Sequence, residues 1–295
     1  MTSTMPIVDP ARPVAAPSWR AAPLGRLLRT PMGIASTSVC GMLVLIAVAA
    51  PLLAPDDPAQ TFATLLSGPS WHHLLGIDDL GRDELSRLVY GIRSSLEVGV
   101  LSVLLASVVG VPLGMIAGFY GRWVDTVVSR LTDTVLAFPS LILAVGMAAI
   151  LGPSLTNVTI ALAIGFVPTM VRVARGETML LRERDYVRAA VANGVSDPVL
   201  LYRHILPGAS PALIVQATVA LPAAIIGEAG LSFLGLGVQP PGSSLGVMLA
   251  NAQQFYTTDP LLAILPGVTI VVAALAFNLF GDSLRDALDP KRVAR

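Results

Sequence analysis

The chain has 295 residues, of which 54% are hydrophobic and 13% charged, with 19 basic residues balanced by 19 acidic ones and a mean hydropathy of +0.74. Such a chain cannot cover its own surface with polar groups, so an ordinary soluble domain is excluded and lipid is the solvent for most of it. The single cysteine, Cys40, excludes a disulfide framework and a cysteine metal site.

Residues 1–31 are rich in Pro and Ala, carry Arg12, Arg20, Arg26 and Arg29, and lack apolar periodicity; they read as a disordered cytosolic arm. Residues 32–54 read as the first transmembrane helix, because the apolar run 33–54, at about 1.5 Å per residue, crosses a hydrocarbon core of roughly 30 Å. A cleaved signal peptide is the rival reading, since Ala47, Ala49 and Ala50 resemble a cleavage site. The run is longer than the usual signal core of about 7 to 15 residues. An extracytoplasmic segment, 55–92, precedes a core of five further transmembrane helices, 93–283, with apolar runs near 95–118, 131–151, 155–171, 209–231 and 260–280. Residues 284–295 form a cytosolic tail. The expected architecture is all-α, with six transmembrane helices and both termini on one side.

The loops fix which side. Arg122 and Arg130, then Arg172, Arg175, Arg182, Arg184, Arg188 and Arg203, then Arg285, Lys291, Arg292 and Arg295 fall on the same face as the arm arginines. Arg82, Arg87 and Arg93 fall on the other, where Asp56, Asp57, Asp78, Asp79, Asp83 and Glu84 also lie. Basic loops face the cytoplasm, which places both termini there.

Within the second span, Gly110, Gly114 and Gly118 recur four apart and clear one face for close helix contact. The alternative is a tilted, kinked helix without a specific neighbour. Pro168, Pro222 and Pro266 each remove a backbone donor within or near a span.

Between the fourth and fifth spans, the loop 173–208 holds one compact polar hairpin. Asp185 is positioned to cap a helix starting at Tyr186, Gly194 to end it in a left-handed conformation, and Ser196 or Asp197 to cap a second helix with Pro198 at its first position. The first helix is shorter than the ~12 residues that give marginal stability alone. Ala189, Ala190 and Ala192 keep its surface thin, so a partner groove can admit it while Arg188 stays at the rim.

The Ala189-Ala190, Gly194 and Leu206-Pro207 pattern resembles the EAA loop of bacterial ABC importer permeases. Arg188 stands where that pattern has Glu, His204 where Ile is usual, and Gly208 where Asn often follows the proline. The stretches HHLLGIDDLGRDELSRLVYGIRSSLEVG, GFYGRWVDTVVSRLTDTVLAFP, GEAGLSFLGLGVQPP and NLFGDSLRDALDP look like the C-type permease of the dipeptide, oligopeptide and nickel importers. The resemblance implies the type I importer permease fold in a bacterial inner membrane, with Arg188, Ala189, Ala190, Gly194, Leu206 and Pro207 docking on an ATP-hydrolysing subunit. It further implies a heterodimer with a second permease, two ATP-binding subunits that carry ATP and Mg, and an extracytoplasmic substrate-binding protein. Nucleic acid is not among the expected partners. Peptides are the expected cargo; nickel, haem and glutathione are the alternatives within the same family.

The chain itself carries no P-loop, since its one lysine, Lys291, follows Asp289-Pro290 in the tail. It is expected to be non-catalytic, to bind no cofactor of its own, and to receive energy from a partner or an ion gradient. An ion-coupled transporter needs ionisable groups near the midplane. The chain offers Glu97 and Glu228 toward outer ends and Asp133 toward an inner end, as candidate pathway or structural charges. A membrane-embedded enzyme lacks its motifs: there is no Gly-x-Ser-x-Gly elbow and no zinc-protease helix. His72, His73, Asp78, Asp79 and Asp83 lack the spacing of a helical ligand pair or a calcium loop, so no metal site is expected.

Overall fold

The computed structural model describes residues 25, 27–28 and 30–288. Most of the expected disordered arm and the tail beyond residue 288 therefore lie outside the described residues, while Thr30 and Pro31 at the arm's end belong to the start of the first helix.

The described residues are helical apart from short connections and the outer segment. Helix α1 runs Pro31–Val48, with the Thr30 hydroxyl accepting from the Gly33 amide and Pro31 in its first turn. A short α2, Ala50–Leu53, continues it after a break at Ala49. The expected single run over 33–54 is thus interrupted, because Pro51 has no amide to continue the hydrogen-bond ladder.

Helix α3, Glu84–Tyr120, has 37 residues, a rod of ~55 Å that exceeds the hydrocarbon thickness. Helices α4, Arg122–Leu136, and α5, Ser140–Leu151, meet at an 88° bend. This corrects the expectation of one continuous span over 131–151. Hydropathy counts straight through Phe138-Pro139, but proline disfavours the α conformation before it and lacks the next donor, so the chain turns there. Helix α6 is Leu155–Arg182, α7 is Asp185–Ala192 and α8 is Asp197–Val199. A π-helical turn, Leu200–Ile205, joins α8 to α9, Leu206–Phe233. Helices α10, Leu245–Ala252, and α11, Leu261–Leu288, complete the fold. Among the described residues, five helical stretches are long and apolar enough to cross a membrane, or six if the bent pair α4–α5 counts as one span.

Small residues set the packing. A Cβ placed on Gly110 would meet Met170 Cβ at 2.7 Å, one on Gly114 the Val171 carbonyl oxygen at 2.4 Å, and one on Gly118 the Arg175 carbonyl oxygen at 2.6 Å. The glycine face of α3 therefore lies directly on the backbone of α6. Cys40, Leu43 and Ala47 of α1 pack with Ile92 and Leu96 of α3 and with Ala273, Ala276 and Phe277 of α11 in one buried cluster. Leu45, Val108 and Leu275, by contrast, point outward, as side chains in contact with lipid can.

The segment before α3 folds around two bridges, Ser67 to Ile77 and Ile77 to Asp83. The Asp78 carboxylate accepts from Arg82 Nε at 2.8 Å and lies 3.4 Å from Arg87 Nε; all three side chains are buried.

Candidate coupling hairpin

The hairpin after α6 is assembled from helix ends. Arg184 takes the extended conformation before α7 without a capping side chain, and Asp185 is the first helical residue. This shifts the expected start by one position, so Asp185 stands where a carboxylate meets the exposed first-turn amides. At the other end the Gly194 amide donates to the Val191 carbonyl and the Val195 amide to the Ala190 carbonyl. With Gly194 at φ +75°, this is a Schellman ending, in which the left-handed residue is glycine because a Cβ is disfavoured there.

Helix α7 has an inner and an outer face. Val187 is 1% and Ala190 8% exposed, packed with Met115, Ala174, Leu200, Ile205 and Ala209. Arg188, Ala189, Val191 and Ala192 face outward. The six residues singled out from the sequence therefore divide: Ala190 belongs to the hairpin's own core, Leu206 is half-buried, and Arg188, Ala189, Gly194 and Pro207 lie on the surface. Tyr186, Val191, Val199 and Tyr202 widen that surface with exposed apolar area.

Side chains anchor the hairpin to the helices above it. Tyr186 donates to the His204 carbonyl at 3.3 Å, bridging the two arms. Arg182 Nη1 donates to the carbonyls of Gly118 at 3.2 Å and Phe119 at 3.1 Å, satisfying the open C-terminal end of α3. Arg188 Nη2 donates to Glu183 at 2.5 Å. The Glu183 carboxyl is held below its ordinary range, first by that bond to Arg188 and then by the one from Arg182.

The second arm has no separate ending. Ser196 occupies the position before α8 without a side-chain cap bond, and Pro198 sits in the first turn. From there the helix passes through the π turn into α9. Pro207 and Pro211 lack amides, and the wider turn beside them absorbs the mismatch in the ladder. The sequence marks the prolines but not this continuity.

Two ion pairs that sequence spacing does not reveal hold α4 against α6. Arg175 engages both Asp125 oxygens, Nη2 to Oδ2 at 2.6 Å, and Arg172 Nη2 donates to Asp133 at 2.8 Å. Asp133 is thus an exposed pairing group. Glu97 is exposed. Glu228 is fully buried and accepts from the Ser95 and Ser232 hydroxyls, each at 2.6 Å.

The geometry of a helical, apolar core with one small polar hairpin agrees with comparisons to known proteins. Residues 110–293 match the family model of the binding-protein-dependent transport system inner membrane component. The chain belongs to that family. It is a multi-pass permease subunit of an ABC transporter, not itself catalytic, and ATPase and binding-protein partners follow from that membership.

The permease is 44% identical to the dipeptide transport system permease protein DppC of Alkalihalophilus pseudofirmus, over 92% of this chain and 90% of that one. It is 41% identical to the glutathione transport system permease protein GsiD of Pectobacterium atrosepticum, over 99% and 96%. It is 46% identical to the di/tripeptide permease DppC of Pseudomonas aeruginosa, over 85% of each chain. Among solved structures, an inward-facing form of the MetNI methionine ABC transporter aligns with a TM-score of 0.56 at 21% identity, covering 69% of this chain and 96% of that chain. That likeness extends to the fold.

Proposed function

We propose that the permease forms half of the translocation pore of an ATP-driven importer of short peptides, and that the hairpin of α7 and α8 couples it to an ATPase subunit. The observation that carries the coupling role is the union of an exposed face with a long helix: α7, whose outer face carries Arg188, Ala189 and Val191, packs through Val187 and Ala190 onto an arm that runs unbroken into α9. A push on that face reaches the membrane without passing through a flexible joint. Because coupling free energies are reciprocal, the state of the pore then biases nucleotide binding by the same amount.

Residues 173–208 serve as the coupling loop within a core of 93–283, and 55–92 as the outer segment that meets the binding protein. Both termini face the cytoplasm, in keeping with the distribution of arginine. A second permease completes the pore, and two partner ATPases carry ATP and Mg. The relatives' names support dipeptides first and glutathione second; both are short peptides bearing a free amine and carboxylate.

Uptake of labelled dipeptide and of labelled glutathione into proteoliposomes holding the assembled complex, with and without internal-face ATP, tests this reading. ATP-dependent accumulation of dipeptide is expected. Accumulation driven by an ion gradient without ATP would overturn it, and preference for glutathione would assign the second substrate.

A further inference from the structure

Three side chains from separated points of the outer segment converge beside the start of α3. Asp56, His73 and Asp83 each present one donor atom, and these atoms lie within 4.8 Å of one another. Each position is fixed by its own contacts. Asp83 is fully buried; its Oδ2 accepts from the amide and hydroxyl of Ser86, both at 2.8 Å, which leaves Oδ1 facing His73 Nδ1 at 3.0 Å. The Asp56 amide donates to the same Ser86 hydroxyl oxygen at 3.1 Å. The His73 ring also packs on Phe62, with centroids 4.7 Å apart.

The charges in this corner do not balance. Arg82 and Arg87 pair with Asp78, whereas Asp83 Oδ1 is in hydrogen-bond contact with the His73 imidazole. Among the described residues, no ion pair or side-chain hydrogen bond reaches the Asp56 carboxylate. Two carboxylates held around one imidazole, one of them out of contact with water, favour a cation at their centre.

We infer that Asp56, His73 and Asp83 form a binding site for a divalent transition-metal ion of the zinc class, which fastens the outer segment to the first turn of α3. A mixed imidazole and carboxylate set suits such ions better than calcium or magnesium, which take oxygen ligands. The 3.0 Å between His73 Nδ1 and Asp83 Oδ1 is a hydrogen-bond separation, and it needs to widen only to the ~3.4 Å between two tetrahedral ligands that each lie about 2.1 Å from the metal. The ion takes the lone pair of neutral His73 at Nδ1, with the proton on Nε2, and Asp56 closes the third side. Water completes the coordination. The departure from the sequence expectation has a simple origin: the ligand missing from the His72 to Asp83 stretch is supplied by Asp56, far upstream.

The test uses the full chain, purified with its partner subunits through a non-histidine affinity tag, stripped with EDTA and dialysed against zinc chloride. The readouts are bound zinc per chain by elemental analysis and the thermal unfolding midpoint. One zinc above the background of the Asp56→Asn variant and a raised midpoint are expected, with affinity falling more than ~10-fold in that variant. His72→Gln should leave both readouts unchanged. Asp56→Asn breaks no side-chain bond of the fold, so it serves even if His73→Gln fails to assemble. Equal zinc content in wild type and Asp56→Asn, or no zinc in either, would overturn the assignment and leave His73 and Asp83 as a hydrogen-bonded pair only.

Discussion

Ser95 Oγ lies 2.6 Å from Glu228 Oε2 across the seam between α3 and α9, although 133 residues separate them in the chain. With Ser232 on the other oxygen, this carboxyl is a polar knot in an apolar interface. Glu228→Ala should lower stability by about 1–3 kcal/mol, because it strands two buried hydroxyls. Glu228→Gln should stay close to wild type, since a hydroxyl can also accept from the amide. Thermal unfolding in detergent checks both; loss of uptake in Glu228→Gln at unchanged stability would instead assign a transport role.

Gly114 touches the backbone of α6 so closely that a Cβ would lie 2.4 Å from the Val171 oxygen. Gly114→Ala should therefore force α3 and α6 apart and destabilise by roughly 1–3 kcal/mol. Gly146, with nothing within 4 Å, is the matched control: Gly146→Ala should be neutral by the same unfolding measurement.

Gly194 has open space around it and φ +75°, so its substitution is a backbone experiment free of clashes. Gly194→Val should cost about 1–2 kcal/mol locally and loosen the end of α7. Membrane insertion is expected to remain normal while ATP hydrolysis continues without matching uptake. Unchanged uptake would count against the hairpin as the coupling element.

The two faces of α7 give a separation of roles. Val187→Ala removes buried volume and should destabilise the hairpin by about 1–2 kcal/mol. Ala189→Glu sits on the outer face and should leave stability unchanged while weakening association with the ATPase subunit. Pull-down of the ATPase, scored beside thermal unfolding, distinguishes them.

Glu183 supplies a pH prediction. Its carboxyl is lowered in the fold, so the contribution of its bonds is fully present above the ordinary glutamate value and is lost as pH falls through the lowered one. ATPase association should therefore be insensitive to this contact between pH 7 and about 5. Glu183→Gln should likewise have a small effect, since the pair is exposed.

Much of the architecture was legible because membrane crossings depend on averages, which a run of apolar residues reports directly. The glycine repeat of α3 and the left-handed Gly194 were legible for a different reason: each is a local demand that few residue types satisfy. The break at Phe138-Pro139 was hidden inside an apolar run, where composition outvotes one missing donor. Arg175 with Asp125, and Asp56 with His73 and Asp83, depend on which elements meet in space. No spacing along the chain encodes that meeting. The continuity of the second hairpin arm was missed because the fifth apolar run begins only near residue 209, after the polar arm, whereas the π turn carries the helix through from one to the other.

From Asp197 to Phe233 the backbone makes one uninterrupted helical stretch, with Tyr202 near the hairpin end and Glu228 close to the other. A strut of that kind does not dissipate a nudge where it is received. Under the proposed coupling, whatever tilts its base swings its tip, so the Ser95 hydroxyl bonded to Glu228 would move with each stroke of an ATPase docked at the hairpin.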